Sequence, residues 1–331
     1  MATQGAPEAT GHPTAAALRR PGRRTLLAAA GAAGVAVAAG ITIERRRTPP
    51  APRQLTLATG PQGAVFLEVG RDLARAIEAV SPATKVTTQV TAATVDNLRL
   101  LLAHAADLGF ASLDAAADAS AGPMGLLAVS RLYDSVLHLV VATGSPIRRL
   151  ADLAGRRVSV GATDSGTEFT CLRLMDLSGV RPNLQLRLSQ TPAMQAVASG
   201  TVDAAFSLTG FPTPAITDLA EQQSIRLIPL VDQIGPLDRS LPGVYGPAAI
   251  PEGTYRGVPV TDTVFVPNLL LTRPGLADPV VSLVTEALLA PASHRFWTNQ
   301  DSRRIDVRTA IATGPVPMHP AALAWLRAHK P

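Results

Sequence analysis

The chain of 331 residues is 47% hydrophobic and carries a formal net charge of +5, a size that suits two α/β lobes, each with its own core. Residues 1–53 hold eight Arg and only two Glu, so the other 278 residues sum to about −1, and the basic character is no sign of nucleic-acid binding. Cys171 is the single cysteine, which excludes an intrachain disulfide, and the six histidines are scattered without pairs at i, i+4, which argues against a metal centre.

Arg23-Arg24 stands ahead of an uncharged Ala- and Gly-rich stretch, Leu26 to Ile43. Paired arginines before a weakly hydrophobic core resemble a twin-arginine export signal, and Ala36-Val37-Ala38 supplies a small-residue cleavage site. The same stretch is about long enough to span ~30 Å at ~1.5 Å per residue, so a cleaved signal and a retained membrane anchor both stay open. Either way the chain is expected outside the cytoplasmic membrane, in the periplasm or on the outer face, touching the membrane only through residues 1–53. Thr48 to Arg53, with three prolines, reads as an extended linker.

From Leu55 the periodicity alternates between strands and helices. Leu55–Ala58 reads as a strand, Val65–Val80 as an amphipathic helix, Val86–Val90 as a β-branched strand and Thr94–His104 as a helix with Val95, Leu98, Leu101 and Leu102 on one face. Leu108–Ala111 is a strand, Leu113–Ala119 a short helix, and Leu126–Ser130 and Val136–Thr143 two further strands. A second run follows: strand Val158–Gly161, a helix from Glu168 to Ser178, strand Leu184–Leu188, helix Pro192–Ser199, strand Ala204–Leu208, helix Pro214–Gln222 and strand Ile225–Pro229. The order βαβαβ thus occurs twice, which predicts parallel sheets covered by helices. Asp134–Thr143 and Thr263–Thr272 are long extended stretches suited to crossing between two lobes. The expected division is 54–143 with 264–331 as lobe one and 144–263 as lobe two.

Each repeat opens with a glycine-containing turn between strand and helix: Thr59-Gly60-Pro61-Gln62-Gly63 and Ser165-Gly166-Thr167-Glu168, about a hundred residues apart. Such turns present free N–H groups and the positive end of a helix to whatever lies in front. Two of them facing one cleft would grip a single anionic ligand. The Thr59 hydroxyl with the N–H groups of Gln62 and Gly63, and Ser165, Gly166 and Thr167 on the other side, are the candidate contacts. Pro61 lacks an N–H and only shapes the turn. Thr94 reads as an N-cap with Asn97 at N3; either could touch ligand, and Asn97 could instead brace the first turn. Glu168 reads as a dipole partner of its helix or as an acceptor for a ligand ammonium or hydroxyl. Tyr133 could bring its hydroxyl to the cleft, and Gly210-Phe211-Pro212 could supply an apolar wall. His138 reads as a core residue and His319 as structural.

The ordered set of Thr59-Gly60-Pro61-Gln62-Gly63-Ala64-Val65-Phe66, Thr94-Val95-Asp96-Asn97, Leu132-Tyr133-Asp134, Asp152-Leu153-Ala154-Gly155 with Ser165-Gly166-Thr167-Glu168, Gly200-Thr201-Val202-Asp203 with Gly210-Phe211-Pro212, and Val316-Pro317-Met318-His319-Pro320 resembles the TAXI family of extracytoplasmic solute receptors. The resemblance runs from Leu55 to about Leu326. It implies an α/β fold of the periplasmic-binding-protein type II kind, two lobes around a ligand cleft with two crossover hinges. It also implies capture of a small carboxylate, glutamate-like or dicarboxylate, and delivery to a TRAP-type membrane permease. Ser112-Leu113-Asp114 stands where the family commonly has Gln-Ser-Asp, which leaves Ser112 as the site residue there and shortens the polar reach.

Catalysis is not expected. Ser165-Gly166-Thr167 is not a nucleophile elbow, and no histidine has an acidic partner legible in the sequence. No cofactor is expected either. A second reading keeps the binding fold and passes the signal to a membrane histidine kinase instead of a permease.

Overall fold

The computed structural model describes residues 54–120 and 125–329; the paired-arginine segment, its cleavage site and the proline linker lie outside them. The first repeat runs β1 (Gln54–Ala58), α1 (Val65–Val80), β2 (Lys85–Gln89), α2 (Thr94–Leu102) and β3 (Leu108–Ser112), followed by α3 (Leu113–Ser120) and the long strand β4 (Leu127–Ala142). The second runs β5 (Arg157–Ser159), α4 (Gly166–Ser178), β6 (Leu184–Leu186), α5 (Gln190–Ala198) and β7 (Ala204–Thr209), then α6 (Pro214–Gln222) and β8 (Ile225–Leu227). The chain closes with α7 (Ile234–Ser240), β9 (Gly246–Ile250), β10 (Thr261–Thr272), α8 (Asp278–Leu289) and α9 (Pro320–Ala328).

The strands form one mixed sheet in the order β2-β1-β3-β10-β4-β7-β5-β6, with β8 on β4 and β9 on β10. Within each repeat the strands are parallel and ordered alike, second-first-third: β2-β1-β3 and β6-β5-β7. The expected parallel pairing therefore holds inside the repeats. Between them, β4 and β10 run antiparallel to each other and to their neighbours β3 and β7. Both long strands change partners along their length. β10 pairs with β3 over Asn268–Thr272 and with β9 over Thr261–Phe265, while β4 takes β7 from Val136 onward.

Two expected strands, Leu126–Ser130 and Val136–Thr143, are one strand of 16 residues. The polar interruption Arg131–Ser135 stays in the ladder: Arg131 and Asp134 pair side by side at 2.7 Å, and Asp134 sits opposite Pro267 beside a register shift. The helices at the C-terminal end pack on the first repeat. Val69, Leu73, Ala76 and Ile77 of α1 share a core with Val281, Val284 and Leu288 of α8 and with Ala322 and Leu326 of α9. Each large aliphatic side chain so buried contributes about 1.5–3 kcal/mol of gross stabilisation. Cys171 lies in α4 inside the core, as its sequence context suggested. No helix among the described residues is long and apolar enough to cross a membrane.

Candidate functional site

The N-termini of four helices converge on one cavity of about 230 Å³. α1 contributes its preceding turn at Gln62 and Gly63, α2 begins at Thr94, α4 at Gly166 and α5 at Gln190, and all of these residues line the space. This is the consequence of the repeated βαβαβ order. In each repeat both helices start beyond the carboxyl ends of parallel strands, and that is where open α/β sheets bind ligands. The floor comes from the two crossing strands: Tyr133 and Ser135 of β4 and Asn268 of β10.

Among the described residues, the N–H groups of Gly166 and Thr167 at the start of α4, and of Gln190 and Thr191 at the start of α5, have no hydrogen-bond acceptor. A helix cannot supply partners to its own first N–H groups, so these are free for a ligand. Two side-chain hydroxyls are in the same state. Ser112 and Tyr133 both line the cavity, and their hydroxyl oxygens, Ser112 Oγ and Tyr133 OH, are buried without a partner. Burial pushes the Tyr133 phenol well above its ordinary range, and the charges of Asp301 and Glu68 add to the shift, so it is a neutral donor.

Nine of the sequence-derived candidates line the cavity: Gln62, Gly63, Thr94, Ser112, Tyr133, Ser165, Gly166, Thr167 and Gly210. The other six do not, and each has a structural occupation. Thr59 is fully buried beneath α1, where a Cβ on Gly70 would come within 2.5 Å of its methyl group. Its hydroxyl donates to the Gln89 carbonyl at 2.6 Å, so it is not available to a carboxylate. Gly60 packs behind Phe66 and Ala93. Asn97 takes the bracing role: Nδ2 donates to the carbonyls of Thr59 (2.6 Å) and Phe110 (2.8 Å), while Oδ1 accepts from the Thr91 hydroxyl at 2.6 Å.

Glu168 is held away from the cavity. Its carboxylate accepts the Asp164 N–H at 2.8 Å and pairs with Arg187, while its own N–H donates to Ser165 Oγ at 3.1 Å, so it serves the start of α4. Phe211 lies under the Arg304 guanidinium, 5.3 Å from ring centre, and joins Pro212 through a cis peptide. Gly210 alone of that triplet reaches the cavity, and the Asp301 carboxylate rests against its Cα. Thr94 is the first residue of α2 and not its N-cap. The cap position belongs to Ala93, at φ 83° and ψ −136°, a backbone region that costs a non-glycine residue about 1–3 kcal/mol. That turn frees the Thr94 hydroxyl to accept from the Ser112 N–H at 3.3 Å.

The polar lining residues that the sequence reading missed are Ser189–Thr191, Thr209 and the floor residues Ser135 and Asn268. A signal for the first group existed. If the two repeats are alike, the start of α5 must occupy in the second repeat the place that Thr94 occupies in the first. Asn268 had none, because its neighbours Tyr133 and Ser135, which accept its Nδ2 protons at 3.0 and 2.8 Å, are more than 130 residues away.

The two repeats touch beside the cavity. Val95 N–H donates to the Asp164 carbonyl at 2.9 Å, Arg99 pairs with Asp164 at 2.7 Å, and Asp114 of α3 accepts from Thr170 (2.6 Å) and Tyr245 (3.1 Å). A buried network holds the Gly210 turn. His138 Nδ1–H donates to the Val136 carbonyl (2.9 Å), which leaves Nε2 to accept from the Tyr255 hydroxyl (3.0 Å), and that oxygen accepts the Thr213 N–H (3.1 Å). Burial depresses the His138 imidazole to about 4 against a weaker opposing pull from the Val136 carbonyl, so it is neutral. His138 is thus a core residue, as its place in an apolar strand suggested.

A curled mixed sheet with helices on both sides, and a cavity at the strand ends of two like repeats, define a fold of the periplasmic-binding-protein class. The chain belongs to the NMT1-like family, whose model matches residues 57–328. Among solved structures it is similar to the periplasmic binding protein BugD, at TM-score 0.51 and 14% identity over 83% of this chain and 93% of that one. A protein from Bordetella bronchiseptica RB50 superposes at TM-score 0.50 and 15% identity, covering 85% of this chain and 90% of that one. The periplasmic aliphatic sulphonate binding protein SsuA from Escherichia coli is 19% identical over 85% and 84% of the two chains, at TM-score 0.45. At these identities the first two define the shared fold.

Proposed function

We propose that the chain is an extracytoplasmic solute receptor of the TAXI kind, which captures a small carboxylate between two lobes and delivers it to a TRAP-type membrane permease. The observation that carries the reading is the cavity ringed by four helix N-termini, with two buried hydroxyls, Ser112 Oγ and Tyr133 OH, lacking partners. Convergent helix N-termini favour a negative group, and an unpaired buried hydroxyl costs about 1–3 kcal/mol that a ligand would recover. The ordered motifs from Thr59 to Pro320 support the family assignment and, with it, the permease partner.

The proposed lobes are 54–143 with 264–331, and 144–263. β4 and β10 would be the segments that join them, and their change of partners near Val136 and Pro267 supports a flexing region close to the cavity floor. Ligand that touches both lobes only when they are closed shifts the population to the closed form, which the permease would then read. Residues 1–53 would carry the chain out of the cytoplasm and, if retained, hold it at the membrane.

The test is thermal denaturation of the full chain against a panel of carboxylates and size-matched uncharged solutes. A ligand at a hundredfold excess over Kd stabilises by about 2.7 kcal/mol, which shifts Tm by several degrees. A rise confined to carboxylates is expected; a rise with uncharged solutes alone, or with none, would remove the proposal.

A further inference from the structure

The cavity has helix ends and hydroxyls, and among the described residues its lining includes no Arg, Lys, His, Asp or Glu. The carboxylates nearest to its rim are already engaged, Glu68 by the Asn299 side-chain amide. Glu168 is taken by Arg187 and the Asp164 N–H. Asp301 pairs with Arg304 at 3.2 Å, and burial raises its pKa. Asp114 accepts from Thr170 and Tyr245 in the contact between the repeats. A ligand ammonium in this space would find no carboxylate among the lining residues, the nearest, Asp301 behind Gly210, being paired with Arg304, and it would face the positive ends of four helices. Taking an ammonium out of water without an anionic partner is strongly unfavourable, and a helix N-terminus repels it further. A carboxylate meets the opposite situation at the free N–H groups of Gly166, Thr167, Gln190 and Thr191.

We propose that the ligand is a small organic acid without an ammonium group, a 2-oxo or 2-hydroxy acid, whose uncharged oxygen substituent meets the orphaned Tyr133 and Ser112 hydroxyls. The inference rests on the receptor reading and narrows it, setting aside the glutamate-like half of the ligand class. Both hydroxyls can donate and accept, so they serve a keto oxygen or a hydroxyl equally. The cavity volume of about 230 Å³ holds a metabolite of a few carbons.

Isothermal titration of the full chain with matched acids that differ only at carbon 2 tests this: 2-oxoglutarate, 2-hydroxyglutarate and glutamate; pyruvate, lactate and alanine; 2-oxoisovalerate, 2-hydroxyisovalerate and valine. In the set that binds, the oxo or hydroxy acid is expected to bind at least tenfold more tightly than the amino acid. An amino acid that binds equally or better overturns the inference and leaves the receptor reading intact. A chain that binds no acid in any set overturns both. Tyr133→Phe supplies a second reading from the same site. It should weaken the substituted acid at least fivefold more than the unsubstituted analogue (glutarate, propionate or isovalerate), and the urea midpoint of the free chain should rise, because a buried hydroxyl without a partner is removed. Equal loss for both acids would remove Tyr133 as the partner of the substituent.

Discussion

Replacing Gly166 by Ala places a methyl group where the two repeats meet. A Cβ there would lie 2.8 Å from Thr94 Oγ1, 3.3 Å from Ser112 Oγ and 3.4 Å from Thr94 Cβ. Thr94 cannot swing away cheaply. It is β-branched, buried at the start of α2, and its hydroxyl accepts the Ser112 N–H. The repeats must separate by a few tenths of an ångström to admit the methyl group. Overpacking of this kind costs about 1–3 kcal/mol, which, on the proposed closure of the two lobes, the closed arrangement alone would bear. If ligand binds the closed form, Kd should rise roughly 5- to 150-fold, since about 1.4 kcal/mol is tenfold. Without ligand, the lost chain freedom of Gly→Ala stabilises by about 0.4–1 kcal/mol, so the urea midpoint should hold or rise slightly. Titration with the acid that raises Tm most, together with urea melts and small-angle scattering of the ligand-bound state, reads all three. A Kd within twofold of the parent chain, at an unchanged scattering profile, would refute the idea that closure brings α4 against Thr94.

Other perturbations test the framework around the cavity. His138→Gln should flatten the pH dependence of stability. His138 sits at about 4 in the fold against about 6.5 when unfolded, so the unfolded chain takes up the proton first as pH falls. The stabilisation is complete above pH 6.5 and is lost progressively toward pH 4, a loss of about 3 kcal/mol. Urea midpoints of parent and variant at pH 7.5 and 4.5 measure it, and parallel profiles would contradict the assignment. Asn97→Ala strips partners from the Thr59 and Phe110 carbonyls and the Thr91 hydroxyl; a loss of about 2–4 kcal/mol is expected from equilibrium unfolding, and a loss under 0.5 kcal/mol would show that water replaces the brace. Cys171 is buried with its thiol pushed up by burial and its Sγ against the Val160 carbonyl. It should resist a disulfide reagent in the native state and react at the rate of unfolding; fast native labelling would contradict its burial.

Legibility in the sequence followed the range of the interactions involved. α1 at Val65–Val80 and α6 at Pro214–Gln222 match their expected bounds, because apolar residues at helical spacing or a proline at the first turn mark them locally. β4 was harder. Tyr133, Asp134 and Ser135 look like a break between two strands because they are polar; Tyr133 and Ser135 line the cavity floor there, and Asp134 pairs with Arg131. β9 and the helices α7, α8 and α9 were not anticipated at all, although α8 is apolar and amply buried. In the first repeat the turn that lines the cavity is legible, but with Thr59 read as a contact. That residue's hydroxyl goes instead to Gln89, thirty positions on.

What the sequence determines by itself is the alternation of strand and helix, its repetition, and the two glycine turns that begin α1 and α4. Each depends on side-chain periodicity or on backbone freedom within a few residues. The tertiary structure decides which polar groups remain unpaired and what charge surrounds them. Asn97 is spent on Thr59 and Phe110, and Glu168 on Arg187, whereas Ser112 and Tyr133 are left without partners at the cavity. Those allotments depend on which distant segments arrive within hydrogen-bond reach, and only the packing of β4, β10 and the two repeats sets that distance.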